Sequence, residues 1–309
     1  SVGLGLAIGR VIAQEVEQIR QALTERRRRN ARVEDRSQES IRKQVINIAT
    51  KGKALGQVNG LTVLDLGDRG FGMPSRITAR TYVGRLGVIN IERMTAMGGP
   101  IQQKGAMIID GFLNGRFAQR FPLSFAASIT FEQNYGGVEG DSASLAELCA
   151  IISSLSGLPL RQDIAITGSM DQAGNAQVIG GANFKIEGFF RACKDRGLTG
   201  TQGVIVPLTN ERNLTVRDEV AEAIAAGKFH LWSVTTVEEA IALFTGVPAG
   251  EMDAKGIELV GAAGDALRKA DQGQQMKRIR MNPSRILVIE LPVHQITDQQ
   301  PVRERRGGQ

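Results

Sequence analysis

FEQNYGGVEGDSASLAELCAIISSL, Phe131 to Leu155, leads from a β-rich run into an apolar-periodic one through a glycine-rich turn. Upstream, FPLSFAASITFEQ is β-rich; downstream, Leu145, Leu148, Ile152 and Leu155, with Ile151 beside them, share one face of a helix. The stretch predicts a strand, the turn NYGGVEGD and a helix, with Ser142 at the helix start. A serine there has two readings. As a cap, its oxygen accepts from a free backbone N–H of the first turn, and spacing alone favours this role. As a nucleophile, it needs a base to take its proton, while the glycine turn and helix start offer N–H groups suited to an oxyanion.

Working outward, QDIAITGSM and AQVIGG read as short strands around the turn DQAGN, followed by the helix NFKIEGFFRACKDRG, where Ile186, Phe189, Phe190 and Cys193 repeat at helical spacing. GVIVPLTN reads as a buried strand followed by a helix, and FHLWSVTTVEEAIALFTG as a strand, a capped helix and a glycine stop. This alternation predicts an α+β domain, α/β-like in its strand-to-helix turns, where functional groups collect.

A base for Ser142 has few candidates. The sequence holds two histidines: His230 in the strand-like FHLW, and His294 near the C-terminal end, both read as structural. Lys185, after Gly180-Gly181-Ala182 and beside an apolar helix face, could serve if burial lowers its pKa; on spacing alone a surface lysine is the simpler reading. Ser40-Ile41-Arg42-Lys43 also matches S-x-x-K, but lies in a charged helical segment without glycine turns and is set aside.

Charge marks the organisation of the chain. Residues 1–50 carry ten Lys/Arg against six Asp/Glu, residues 255–309 another ten against six, and the middle eighteen against twenty. The basic excess behind the pI of about 9.6 thus sits at the ends, and the central body is expected to be a poor general phosphate or nucleic-acid binder. Residues 1–50 read as a charged helical segment with Ile12, Val16, Ile19 and Leu23 on one stripe, and Arg26 to Arg29 as a solvated helix end. Residues 51–246 read as one compact mixed domain, and 247–309 as a basic, weakly structured tail. No apolar run reaches the roughly 18 residues of a membrane span. SVGLGLAIGRVI lacks the features of an export leader, and Cys149 and Cys193 read as buried reduced thiols, so a cytoplasmic location is expected.

GVEGDSAS and VIGGANFKIEGFF, with Ser142 and Lys185 43 positions apart and a TGS hairpin between them, resemble the proteolytic domain of Lon-type ATP-dependent proteases, in the branch with a GDSAS turn. GLTVLDLGD, FGMPSRITA, GGPIQQKGAMIIDGFL, RGLTGTQGVIVP and FHLWSVTTVEEAI carry the resemblance across Lys51 to Gly246. It implies the Lon protease domain fold, Ser142 as nucleophile and Lys185 as general base of a Ser-Lys dyad, Thr167 orienting the lysine, and Glu139 in the same constellation. Asp141 is assigned to shaping the turn, with a lesser part in charge balance. The family also implies cleavage of unfolded or damaged polypeptides in a homo-oligomeric ring, a hexamer, fed by an ATP-driven unfoldase.

Gln102 stands where this branch commonly has a histidine, and ANF replaces a more polar stretch before Lys185. No G-x-x-x-x-G-K-[ST] phosphate loop occurs, so neither a cofactor nor a metal is expected in this chain, and ATP and Mg only with an upstream ATPase module, whose end residues 1–50 would suit. Two alternatives share the fold: a non-proteolytic accessory domain for DNA binding or assembly, against which the Ser-Lys pair argues, and an ATP-independent peptidase.

Overall fold

The computed structural model describes residues 2–67, 69–118, 123, 125–247, 278–282 and 285–288. The chain opens with a long helix, α1 (Val2–Arg42), and then builds β1 (Lys53–Ala54), β2 (Gln57–Asp65), β3 (Gly70–Val83), β4 (Gly87–Asn90), the short α2 (Ile91–Met94), α3 (Pro100–Phe117) and β5 (Phe125–Phe131). Next come α4 (Ser144–Ser156), β6 (Leu160–Arg161), β7 (Ile164–Ile166), β8 (Ser169–Met170), β9 (Ala176–Gln177) and α5 (Ala182–Lys194). β10 (Gly203–Pro207) leads through a 3₁₀ turn (Leu208–Asn213) to α6 (Asp218–Ala225), β11 (His230–Val234) and α7 (Val237–Thr245). Val237–Thr245 has the capped start expected of it: Thr236 accepts from the Glu239 N–H, and Gly246 closes it at φ 76°.

The main sheet is mixed, ordered β13-β12-β11-β10-β7-β2-β3-β5-β4. β11, β10, β7 and β2 run parallel, and β3 joins β2 to β5 with antiparallel pairings on both sides. The alternation of side chains along each strand divides the interior in two. Ile164, Ile166 and Ile205 enter one core with α4 and α7, whereas Ala165, Val204 and Val206 enter the other with α5, α6 and Ile41 at the end of α1. Helices therefore cover both faces, which is why GVIVP can be apolar throughout and buried at every residue. The fold is α+β, as the sequence pattern predicts.

Two glycines set the height of α5 on the sheet. A Cβ on Gly72 of β3 would collide with the backbone of Phe184 and Lys185, and one on Gly188 of α5 would run into the Gly72 carbonyl. Their bareness lets helix backbone rest on strand backbone, and it brings Lys185 down to the sheet.

α1 is anchored by its C-terminal third. Buried Glu34 receives Arg69, from the β2–β3 turn, at 2.6 Å and Arg191, from α5, at 2.5 Å. Burial pushes the Glu34 carboxyl up, yet the two guanidinium groups more than offset this and hold it below the usual range. Most of the tail assigned to 247–309, His294 included, lies outside the described residues. Two strands within it, β12 (Arg278–Asn282) and β13 (Arg285–Val288), form a hairpin that extends the sheet antiparallel to β11, an element that local spacing did not predict.

Candidate active site

The serine at the turn is not a helix cap. α4 begins at Ser144, its N-cap is Ala143, and no side chain caps it. The Ser142 hydroxyl instead meets Lys185 Nζ at 2.6 Å. The two residues approach from opposite layers. Ser142 stands before α4, which belongs to one core, and Lys185 lies in the first turn of α5, which belongs to the other. They meet beyond the C-terminal end of β7, where Thr167 follows Ile166.

Thr167 is fully buried and joins the two. Its hydroxyl donates to the Ser142 carbonyl at 3.0 Å and accepts from Lys185 Nζ at 3.0 Å. The Gly168 N–H reinforces the same Ser142 carbonyl at 2.8 Å, and the Leu145 N–H returns a bond to the Gly168 carbonyl at 3.1 Å. The serine backbone is thus laced to the strand end that carries Thr167. Lys185 is 3% exposed, and burial pushes its pKa down to about 8 against an opposing pull from Asp141. An amine with that pKa is available in neutral form at mildly alkaline pH, with a hydroxyl within hydrogen-bond reach.

Asp141 shapes the turn and also sets charge. Its carbonyl accepts from the Ser144 N–H and hydroxyl, and its carboxylate accepts from Ser169 Oγ at 2.8 Å. It is also the carboxylate that acts on Lys185. Glu139 belongs to the same turn but bonds elsewhere. It lines the cavity beside the dyad, but its carboxylate accepts from the Ile101 N–H at 3.2 Å, at the start of α3. Among the described residues no ion pair joins it to Lys185. The αL Gly140, at φ 90°, turns the chain between Glu139 and Asp141, so the two acids leave in different directions.

Sequence reasoning passed over Asn210, in the 3₁₀ turn. Its amide accepts from the Ile179 N–H at 3.1 Å and donates to the Ile179 carbonyl at 2.9 Å. The clasp fixes the loop that feeds Gly180-Gly181 into α5, and hence the entry of Lys185. PLTN alone carries no signal of it, because the partner lies 31 residues away.

Ser142 and Lys185 open into a cavity of about 550 Å³, whose walls include Leu61, Val63, Met73, Phe184 and the turn from Gly136 to Gly140. β2 pairs with β7 only at Asn59 and Gly60, while Leu61 to Asp65 continue alongside β3 alone. Leu61 to Leu64 therefore line the cavity with one strand edge that no other described strand occupies. No described helix is long and apolar enough to cross a membrane.

Residues 135–245 match the family described as the Lon protease (S16) C-terminal proteolytic domain. The chain is 45% identical over 229 residues to a putative Lon protease homolog of Escherichia coli, covering 74% of this chain and 39% of that protein. A putative Lon protease homolog of Haemophilus influenzae is 44% identical over 203 residues, covering 65% and 34%. The archaeal Lon protease of Thermococcus kodakarensis is 32% identical over 209 residues, covering 63% and 28%. The chain thus spans less than two fifths of the length of these relatives. Through residues 135–245, which hold the turn before Ser142 and the helix of Lys185, the chain belongs to the Lon protease family as its C-terminal proteolytic domain.

Proposed function

We propose that this chain is the proteolytic unit of a serine endopeptidase that cleaves unfolded polypeptide with Ser142 as nucleophile and Lys185 as general base. The observation that carries this reading is the 2.6 Å contact between Lys185 Nζ and Ser142 Oγ inside a buried site. Neutral Lys185 takes the Ser142 proton as Oγ bonds to the peptide carbonyl carbon. The resulting ammonium then protonates the departing amine as the C–N bond breaks, leaving an acyl-enzyme. Water, giving its proton to the same amine, attacks the ester, and Ser142 recovers its proton as the acid product leaves.

The backbone N–H groups of Ser142 and Ala143 have no partner among the described residues. They stand at the start of α4, where such groups favour a developing oxyanion. The free edge of Leu61 to Leu64 favours an extended chain as substrate, since an added strand would use the backbone groups that β7 leaves unpaired. That preference for extended backbone favours unfolded over folded substrates. In the whole protein we assign unfolding to an ATP-driven module and the assembly to a hexameric ring, by family likeness, acting in a reducing cytoplasm.

The test is cleavage of casein by the chain and by Ser142→Ala. The variant should lose about a thousandfold or more while keeping its circular dichroism and thermal midpoint. Undiminished cleavage by the variant refutes the assignment.

A further inference from the structure

Glu147 lies five residues beyond Ser142, on α4, and takes no part in the contacts of the dyad. It is 2% exposed. Its Oε1 accepts from Gln102 Nε2, on α3, at 3.1 Å and from Asn90 Nδ2, at the cap of α2, at 3.4 Å. Facing it from α2 is Glu92, 4% exposed, whose Oε1 accepts from the Thr130 hydroxyl and the Phe131 N–H, both at 2.7 Å. Among the described residues no cation pairs with either acid, and the charge acting on Glu147 is that of Glu92. Two further oxygens in this cluster, Glu92 Oε2 and Gln102 Oε1, are buried without a donor among the described residues. Two ionised carboxyls buried with no described cation, beside two acceptors with no described donor, form an arrangement that one added proton relieves.

The cluster adjoins the segment that holds the nucleophile turn. Between α2 and α3, the Met97 carbonyl accepts from the Val138 N–H and the Gly99 N–H donates to the Val138 carbonyl, each at 2.9 Å. The Ile101 N–H donates to Glu139. The Gln102–Glu147 bond ties that same segment back to α4, which starts just after Ser142. Nucleophile turn, α2–α3 segment and α4 therefore close a ring, and the buried acids form its fastening.

We infer that Glu147 is a positioning residue that works as a neutral acid: its proton reaches Glu92 Oε2 or Gln102 Oε1, fastens the α2–α3 segment to α4 and so keeps Ser142 in line with Lys185. Burial, assisted by the Glu92 charge and opposed by the Gln102 hydrogen bond, pushes the Glu147 carboxyl up to about 8, so it remains protonated at neutral pH. When it ionises, two carboxylates share the space, the 97–102 segment draws away from α4, and the turn loses register. Catalysis then falls on the alkaline side through a group outside the dyad.

This inference rests on the proposed function, and its test separates the two. Peptide hydrolysis by the chain is measured from pH 6 to 10 for wild type, Glu147→Gln, Glu92→Gln and Ser142→Ala, alongside hydrogen exchange of the Val138 and Gly99 amides. Wild type should rise and then fall, losing about tenfold per pH unit beyond the falling limb, and both amides should lose protection over that limb. In Glu147→Gln the amide is a permanent donor, so the falling limb and the loss of protection should both vanish. Glu92→Gln removes a charge that favours protonation, so the falling limb should move to lower pH. A wild-type profile that stays flat after its rise overturns the role of Glu147, as does a falling limb unchanged in Glu147→Gln. Should Glu147→Gln not fold, wild-type exchange decides: protection that stays constant through the falling limb overturns the inference. Activity retained by Ser142→Ala overturns the dyad instead, leaving the exchange measurement to judge Glu147 by itself.

Discussion

Thr167 commits its one hydroxyl proton to the Ser142 carbonyl and therefore meets Lys185 Nζ only as an acceptor, both contacts being 3.0 Å. One N–H of a neutral amine is then fixed on threonine, and its lone pair is left for the Ser142 hydroxyl at 2.6 Å. Thr167→Val keeps the shape and removes this constraint. It should lower kcat by about 10- to 100-fold, the equivalent of one lost hydrogen bond to a charged group, with KM little changed. Thr167→Ser should retain most of the activity. A Val variant as fast as wild type would show that Lys185 needs no such orientation.

The rising limb of the pH–rate profile should belong to Lys185 and lie near 8, where burial holds it. Lys185→Arg cannot release a proton at workable pH and should be inactive throughout. Asp141 opposes the shift by stabilising the ammonium, so Asp141→Asn should move the limb to lower pH. Glu139, bonded to the start of α3, should leave it in place when changed to Gln. A limb that follows Glu139 rather than Asp141 would reverse this assignment of charge.

Stability should report the same burial. The folded pKa of Lys185 lies below its ordinary value of 10.5, at about 8. Between these values the unfolded chain binds the proton and the folded chain does not, so stability from this group rises across that window as pH rises. Below it, folding retains a buried ammonium at a cost of about 3 kcal/mol. Lys185→Met should therefore raise the denaturation midpoint at pH 7, with a gain that shrinks between pH 8 and pH 10.5. An equal gain at both ends would mean that packing, not charge, is responsible.

The strand, turn and helix around Ser142 were legible because period and glycine content change sharply there, and the pairing with Lys185 was legible through the resemblance. The partner of Glu139, the Ile101 N–H, was not. Three residues separate Glu139 from Ser142, but the left-handed Gly140 between them redirects the chain. Nor was Glu147 legible as a buried acid. Every residue from Ser144 to Ile151 is buried, so α4 has no polar face from which a misplaced carboxylate would stand out. The β12–β13 hairpin depends on a strand edge left by β11, more than forty residues earlier, which local pattern does not record.

Glu34 fastens α1 to both the β2–β3 turn and α5. Its carboxyl is held below the usual range, so its contribution is present at neutral pH and is lost as pH falls through its folded pKa. Glu34→Ala should cost about 2 kcal/mol at pH 7, less than a fully buried pair because both arginines are partly exposed and can be hydrated. Limited proteolysis should then cut α1 near Arg42 faster than in wild type. Unchanged cleavage would place the anchorage of α1 in Ile41 and Arg196, which bonds the Ile41 and Ile48 carbonyls.

The contact between Gly72 and Gly188 places Lys185 in depth, and it offers the sharpest test of how fold creates chemistry. A methyl on Gly188 meets the Gly72 carbonyl and the Met73 backbone, neither of which can rotate aside as a side chain would. α5 must then lift from β3. Lys185, one turn before Gly188 on the same helix, would move with it, lengthening its 2.6 Å contact with Ser142 and admitting water to the amine. Gly188→Ala should accordingly destabilise the fold by about 1–3 kcal/mol, the usual cost of overpacking. Its rising pH limb should also move toward the pKa of a hydrated lysine, about 10.4. Loss of stability alone, with the limb still near 8, would show that the helix absorbs the methyl without moving its first turn.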